Sequence, residues 1–383
     1  MKAFLHKALR LPEPDQLPPE GKIRLPNRLM PFMWYFLRQV KRPLILAFIL
    51  MTLSYVAYAL IPYFIKLFVD TLEGAESIGA VYPAILYISL GLLVGSLGLS
   101  TVLEDIAAAI KFYTMPALLN LMRRQLALYV HGHAYSYFQD EFSGRLSSKV
   151  IETPDALRYL VSNLTGGFWY ICVTFITSAI LFATAHWSML LVMLIYGSGY
   201  VIWLYCRIPV VMDKSHNSND EESYIRGRFV DTLTNMLHVK LYARKDYEDA
   251  YLLDVLKSQT KSQRRMNFAI WRSDVGLVCI NIVLLWIGTV AVGLYGWQKG
   301  WLSTGDIAMI LPICLNITEQ SWWLSELLAE MATRFGQVRE GMVAVSRKHQ
   351  VVDRHDARPL NFSHGAIVFD HIHFSYEEDP FFE

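Results

Sequence analysis

The chain has 383 residues, a net charge of +1, 54% hydrophobic residues and a mean hydropathy of +0.29. A nearly neutral charge gives no reason to expect nucleic acid or another polyanion as a partner. Several apolar runs exceed the 18 residues that a helix needs to cross a bilayer. The composition therefore excludes an ordinary soluble domain and predicts an all-α membrane protein.

The N-terminal part divides into two segments. Residues 1–30 are polar and rich in proline, which predicts a flexible leader. In residues 31–42, aromatic side chains stand beside Arg38, Lys41 and Arg42. This mixture is typical of a helix in the headgroup layer, with its rings in lipid and its charges in water. A first span that starts early explains the same residues, and this alternative stays open.

Residues 43–352 are expected to form a domain of six transmembrane helices. From Tyr159 to Cys206 the chain carries no Asp, Glu, Lys or Arg, which fits two spans joined by a turn at His186 and Trp187. The six spans are expected at Leu44–Ile61, at about Val81–Leu103, twice within Tyr159–Cys206, at Val275–Gln298 and at Gly305–Leu328.

The helical pattern continues well beyond the second span. A helix from Val81 to Tyr137 is roughly 85 Å long, whereas the hydrocarbon core of a bilayer is about 30 Å thick. The remainder must therefore project from the membrane, with a break expected at Gly144. Span six is also expected to continue as an amphipathic helix.

The basic residues predict the orientation. Nine Lys or Arg residues precede span one, and eleven lie between Arg207 and Ile270. By contrast, the acidic loop from Asp70 to Glu76 and the turn at His186 have none. This asymmetry follows the positive-inside rule and places both termini and both long polar excursions in the cytoplasm.

The C-terminal segment, residues 353–383, carries the first family resemblance. Apolar residues alternate with polar ones around Ile367 and Phe369 and again at Phe374 and Tyr376, which predicts two half-buried strands. Together with Ala357 and Pro359-Leu360, they resemble the linker and opening strands of the nucleotide-binding domain of ABC exporters. The resemblance implies an incomplete nucleotide-binding domain in which Tyr376 stacks on adenine. An ordinary strand aromatic is the alternative.

The two polar excursions resemble the intracellular loops of the same family. Tyr137-Phe138 and Gly144-Arg145-Leu146 are similar to the first loop, and Phe229–Tyr242 is similar to the second. In ABC exporters each loop forms a short coupling helix that docks on a nucleotide-binding domain. The resemblance implies coupling roles for Phe138, Phe142, Gly144, Leu146, Leu233, Leu237, Val239 and Lys240. Ordinary helix–turn–helix linkers are the alternative.

Polar and aromatic residues at membrane depth predict a substrate cavity between spans one and six. An ionisable group inside a membrane is costly and is by default a candidate for function. The candidate cavity residues are Tyr55, Tyr58, Asn316, Glu319, Trp322 and Trp323. Lys66 and Lys111 are possible partners of Glu319. A Glu319 that lies close enough to water to be solvated is the alternative.

No metal site and no ATP hydrolysis are expected of this chain. His371 and His373 have no third ligand nearby, and the four cysteines form no Cys-x-x-Cys pair. The sequence also lacks Gly-x-x-x-x-Gly-Lys-Ser/Thr, the motif that cradles nucleotide phosphates.

The resemblance as a whole implies a type-1 ABC exporter half-transporter, similar to lipid and multidrug exporters of the bacterial inner membrane. It implies ATP and Mg²⁺ as cofactors, and a second half-transporter, in a homodimer or heterodimer, as partner. It also implies nucleotide-binding domains as partners and an amphipathic lipid or drug as substrate. A secondary carrier or channel, which needs no ATP, and a non-transporting partner subunit are the alternatives.

Overall fold

A computed structural model describes residues 23, 25–73, 82–140, 143–351, 357–358, 365–371, 374–376 and 379–382. The predictions for most of the leader, for most of the linker and for Phe142 concern residues outside these ranges. Twelve α-helices lie within the described residues. They are α1 (Leu29–Leu37), α2 (Lys41–Ala59), α3 (Ile61–Glu73), α4 (Tyr82–His131), α5 (Tyr135–Asp140), α6 (Ser143–Asn163), α7 (Trp169–Ala185), α8 (Trp187–Thr234), α9 (Met236–Leu241), α10 (Lys245–Ile280), α11 (Gly288–Gln298) and α12 (Thr304–Val345).

Three of the helices are much longer than a bilayer is thick. Helix α4 has 50 residues, α8 has 48 and α12 has 42. At 1.5 Å per residue these helices are roughly 75, 72 and 63 Å long. The long extensions predicted from the sequence are therefore present.

Five helical stretches of the described chain are long and apolar enough to cross a membrane: Leu29–Glu73, Ile85–His131, Leu146–Ala185, Trp187–Thr234 and Lys245–Gln298. Helix α12 is not among them, because Asn316, Glu319 and Gln320 lower its hydropathy. A sixth span in this helix stays a prediction.

One side of the aromatic helix α1 packs against other helices, and the other side is exposed. Phe32 and Phe36 are fully buried in a core that includes residues of α4, α6 and α12. Trp34, on the other side, is 61% exposed. The expectation that all these rings lie in lipid is therefore wrong, because protein already covers part of the helix.

Two further cores hold the membrane half together. One joins α2, α4 and α7, and the other joins α7, α8, α10, α11 and the first half of α12. A short turn joins α7 to α8. Helix α7 ends at Ala185, and the His186 side chain caps α8 by accepting a hydrogen bond from the Ser188 backbone N–H. The turn predicted at His186 is thus observed.

The start of α12 is fixed against α3. Ser303 and Asp306 form a capping box, and Lys66 forms an ion pair with Asp306 at 2.5 Å. The Asp70 carboxylate accepts a hydrogen bond from the Gly305 N–H at 2.9 Å. A Cβ at residue 305 would lie 2.5 Å from the Lys66 carbonyl oxygen, so only glycine permits this close approach.

Two boundaries differ from the predictions. Helix α4 ends at His131 rather than near Tyr137, and Gly144 lies inside α6 instead of interrupting a helix. The chain turns at Gly132 and His133, where a Cβ at residue 132 would lie 3.0 Å from the His349 ring. A side chain at residue 132 would force the His349 ring to shift, whereas Gly144 is the second residue of a helix.

The C-terminal strands are also shorter than predicted. Phe374–Tyr376 (β1) pairs with Asp379–Phe382 (β2) in an antiparallel register. Residues 365–370 form no strand, and Ile367 and Phe369 are 79% and 78% exposed. A half-buried strand needs a neighbour on its edge and its face, and the described residues provide none for this segment. Membership of these strands in a nucleotide-binding domain stays a prediction.

Candidate substrate cluster and coupling tips

The candidate cavity residues meet around Tyr170 of α7. Its ring centroid lies 5.1 Å from that of Tyr55 and 6.2 Å from that of Tyr58, both on α2. The ring of Trp323 on α12 lies 6.3 Å away on another side. Tyr170 thus brings together Tyr55, Tyr58 and Trp323, which were predicted from two distant parts of the sequence. Tyr170 itself was not among the predicted residues.

Amides of α12 complete this aromatic cluster. Asn316 and Gln320 lie near the Tyr170 hydroxyl, and the Gln320 amide N–H donates a hydrogen bond to the Asn316 side-chain oxygen. The Gln320 side chain in turn accepts a hydrogen bond from Thr174 at 2.7 Å. Rings with a few fixed polar groups are the usual lining of a site for small amphipathic molecules.

Two other candidates lie at the margin of the cluster. Glu319 is exposed and lies close enough to Tyr170 to interact with it electrostatically. Trp322 is 43% exposed and makes no ring contact with another described aromatic residue. The proposed pairing of Lys66 with Glu319 is wrong, because Lys66 pairs with Asp306 instead.

A local irregularity places Tyr170. The segment Leu164–Phe168 is a π-helical turn, a form that often occurs at functional sites. A Cβ at Gly167 would lie 3.0 Å from both the Trp323 ring and Leu327. The absence of a side chain at Gly167 allows α12 to approach the start of α7. The sequence signal for this site is therefore Gly166-Gly167 followed by three aromatic residues.

The first candidate coupling tip is docked on the rest of the chain. Phe138 is half-buried against the core, and Leu146 is 6% exposed. The hydroxyl of Tyr137 donates a hydrogen bond to the Ala344 carbonyl oxygen at 2.8 Å. The structure thus joins the short helix α5 to the end of α12. Gly144 lies in the backbone of α6, at its second residue.

Histidine and tyrosine side chains strengthen this junction. The His133 ring stacks on Tyr137 at 4.1 Å, and His349 lies 4.4 Å from both His133 and Tyr129. Burial, with the nearby His349 and the Arg347 guanidinium, lowers the pKa of His133. We call Tyr129, His133, Tyr137 and His349 the histidine–tyrosine cluster.

The second candidate tip is a compact projection. Helix α9 has six residues and connects α8 to α10 through turns at Asn235 and at 242–244. Leu233 and Leu237 are 65% and 67% exposed, Lys240 is exposed and Val239 is half-buried. Exposed apolar side chains on and beside so small an element are typical of a surface that contacts a partner, and a docking role for these residues stays a prediction.

The described residues form no recognisable site for a nucleotide or a metal ion. No three His, Cys, Asp or Glu side chains are grouped to hold a metal ion within the ranges described above. The sequence lacks the phosphate-cradling glycine loop, so these residues do not fit ATP and Mg²⁺. Tyr376 lies in β1, and its side chain is outside the described part, so adenine stacking stays a prediction.

Comparison with known proteins identifies relatives of the membrane part. An uncharacterized ABC transporter ATP-binding protein of Haemophilus influenzae is 29% identical over 249 residues, 64% of this chain and 40% of that protein. Human ATP-binding cassette sub-family B member 6 is 24% identical over 275 residues, 67% of this chain and 31% of that protein. An ATM1-type heavy metal exporter of Novosphingobium aromaticivorans is 22% identical over 40% of this chain and 25% of its own length.

A solved structure shares the fold. The structure of a bacterial Atm1-family ABC exporter with ATP bound matches 84% of this chain and 56% of that chain, with a TM-score of 0.66 and 13% identity. The chain spans less than half the length of the curated relatives it matches. The ABC transporter transmembrane region matches residues 44–315. This chain therefore belongs to the ABC transporter transmembrane-region family, and its fold is that of an ABC exporter.

Proposed function

We propose that this chain is the membrane part of an ATP-driven exporter for an amphipathic substrate, such as a lipid or a drug. ATP and Mg²⁺ bind to nucleotide-binding domains, which belong to the complete transporter. The second half is another half-transporter, in a homodimer or a heterodimer. The membrane is the bacterial inner membrane, and both termini are cytoplasmic.

The observation that carries this proposal is the length of α4, α8 and α12 together with their tips. Helices of roughly 63 to 75 Å extend far past a bilayer core of about 30 Å. A channel or secondary carrier has no need of such extensions. Stiff helices that end in compact tips are suited to transmit displacement from a motor domain to the membrane.

The two tips differ in a way that suggests how force is transmitted. The first tip is tied to α12 through Tyr137 and the histidine–tyrosine cluster, so its movement is passed to the helix that carries Asn316 and Trp323. The second tip is free to receive a partner through Leu233 and Leu237. We infer that Val239 and Lys240 complete that surface, and that Phe138, Phe142, Gly144 and Leu146 serve the first.

The amphipathic substrate is inferred from the cluster around Tyr170. Its rings offer apolar and stacking contacts, whereas the amides of Asn316 and Gln320, which are joined to each other and to Thr174 by hydrogen bonds, offer polar groups. Tyr55, Tyr58, Glu319 and Trp322 extend the same lining. A heavy metal exporter is among the relatives, but the described residues group no three metal ligands that would favour a bare ion.

Transport in inside-out vesicles tests the proposal. The chain is expressed together with nucleotide-binding domains, and ATP-dependent uptake of a fluorescent amphiphile is measured. Leu237→Asp places a charge on the second tip and is expected to reduce uptake at least tenfold at an unchanged protein level. Val343→Asp is the matched control, because Val343 is 59% exposed but lies on α12. Uptake that continues without ATP, or equal losses in both variants, contradicts the proposal.

A further inference from the structure

A long groove runs between α8 and α10. Its volume is about 820 Å³. Seven cationic side chains line it: Arg207, Lys214, Lys257, Lys261, Arg264, Arg265 and Arg272. Apolar side chains share the lining, among them Val210, Leu253, Leu256 and Phe268, which are 38% to 61% exposed. Among the residues that the structure describes, no acidic side chain lines this groove.

The helical register explains why these residues share one surface. The lining residues of α10 recur at positions 253, 256–257, 260–261, 264–265, 268–269 and 272. This spacing of three and four residues is one face of an α-helix. Arg207, Val210 and Lys214 follow the same rule on α8. The cations are therefore a continuous stripe that faces a cavity, rather than charges scattered around two helices.

Most of these charges are not neutralised by the chain. Lys214 forms an ion pair with Asp213 at 2.8 Å. The other six cations have no carboxylate within ion-pair distance among the described residues. The Arg207 Nε is buried without a hydrogen-bond partner in the same part of the chain. An unpaired cation in an amphipathic groove is expected to attract an anion.

The far end of the groove is less positive. There it borders a second cavity, which Asp220 and Glu221 help to line. Glu221 also accepts a hydrogen bond from Ser258 at 3.1 Å. The strongest positive potential is therefore expected toward Arg207 and Arg272, at the end nearest the apolar spans.

The same end lies at the membrane boundary. Arg207 is the first charged residue after the uncharged stretch that ends at Cys206, and no Lys or Arg follows Arg272 until Lys299. Aromatic side chains gather at this level: Trp271 is 59% exposed, and the Arg207 guanidinium lies 5.6 Å above the Trp203 ring. Tryptophan beside arginine is typical of the headgroup layer.

We propose that this groove binds the headgroup of an anionic phospholipid from the leaflet that faces the helical extensions. Arg207 and Arg272 hold the phosphate at the end nearest the apolar spans. Arg264 and Arg265 add to the positive potential about two turns farther along α10, and Phe268 and Val210 offer apolar contacts to the headgroup between them. Basic residues attract anionic lipids at a membrane surface, and unpaired arginines favour phosphate. This lipid site requires neither ATP nor transport, so it goes beyond the proposed function.

Lipid binding to the purified full chain tests the site. The chain in neutral detergent is titrated with fluorescent phosphatidylglycerol, and phosphatidylcholine serves as the zwitterionic reference. The test variant is Arg264→Gln/Arg265→Gln/Arg272→Gln. The control is Arg226→Gln/Arg244→Gln/Lys245→Gln, which removes the same charge from exposed positions outside the groove. Size-exclusion profiles and Tm values establish that both variants remain folded.

The groove variant is expected to lose about a hundredfold in affinity for phosphatidylglycerol, because each cation near a membrane surface contributes roughly fivefold. The control is expected to stay within about twofold of the unchanged chain. Equal losses in both variants overturn the site, since the attraction is then diffuse. Equal affinity for phosphatidylcholine overturns it too. Displacement of the lipid by millimolar inorganic phosphate overturns the lipid assignment in favour of a small soluble anion.

Discussion

The contact between α6 and α12 offers a sharp test of how the first tip is joined to the helix of the substrate cluster. Gly341 of α12 is buried, and a Cβ at this position would lie 1.7 Å from the Oγ1 atom of Thr153 on α6. Thr153 is itself 1% exposed. Gly341→Ala must therefore move one of the two helices.

Gly336 is the matched control on the same helix, because a Cβ there meets nothing within 4 Å. Either alanine gains about 1 kcal/mol of helix propensity over glycine. The difference between the two variants is therefore the overpacking cost alone, which is about 1–3 kcal/mol. We expect Gly336→Ala to raise Tm slightly and Gly341→Ala to lie several degrees below it.

A double-mutant cycle identifies the cause. Thr153→Ala removes Oγ1 and the Cγ2 atom at 3.0 Å but leaves the Cβ at 2.8 Å, so it relieves only part of the overlap. We expect a coupling free energy of about 0.5–3 kcal/mol between the two sites. Thermal unfolding in detergent, followed by size-exclusion chromatography, measures it. Equal Tm values for the two glycine variants, or additive effects in the cycle, would refute the close α6–α12 packing.

Three further predictions follow from other contacts. Burial lowers the pKa of His133 in the folded protein. Its contribution to the free energy of unfolding is therefore present above the ordinary pKa of about 6.5 and is lost as pH falls through the folded-state pKa. His133→Phe keeps a ring on Tyr137, and in Tm measurements between pH 8 and 5.5 it should abolish this loss. If both proteins lose stability equally, the histidine–tyrosine cluster is not the cause. Lys66→Ala leaves the buried Asp306 without its ion pair and should lower the free energy of unfolding by about 3 kcal/mol. Lys66→Arg should retain most of the stability, and Tm measurements compare the two variants. An unchanged Tm for Lys66→Ala contradicts the ion pair. Tyr170→Ala should weaken binding of an aromatic amphiphile by about tenfold through lost ring contacts, and Tyr170→Phe should weaken it less. Fluorescence titration measures both affinities. If Tyr170→Ala binds the amphiphile as tightly as the unchanged chain, the substrate site lies elsewhere.

Patterns that repeat along the chain made the fold accessible from the sequence. The uncharged stretch before Arg207 and the helical spacing beyond the second span predicted long helices, and α4 and α8 have that length. The turn at His186 could be located because the uncharged stretch from Tyr159 to Cys206 is long enough for two spans and must turn near its middle. The family match and the shared fold confirm the resemblance to ABC exporters.

Features that depend on tertiary packing could not be read in the same way. Gly132 and Gly144 look alike in the sequence, but Gly132 lies at a turn against the ring of His349, whereas Gly144 lies within α6. Tyr170 is one aromatic residue among many in an apolar stretch, and only the crossing of α2, α7 and α12 makes it the centre of a cluster. Lys66 was considered only as a partner of Glu319, and its ion pair with Asp306 depends on how the capped start of α12 packs against α3.

The most direct test of the central claim is the position of α9 relative to the membrane. A single cysteine replaces Leu237 in a chain whose four native cysteines are changed to alanine, and a membrane-impermeant maleimide is applied from either side. We predict rapid labelling in inside-out vesicles, none in right-side-out vesicles, and protection when nucleotide-binding domains are bound. Labelling from the outer side, or protection by lipid on both sides, would contradict the account of α8 and α10 as cytoplasmic extensions that carry a docking tip.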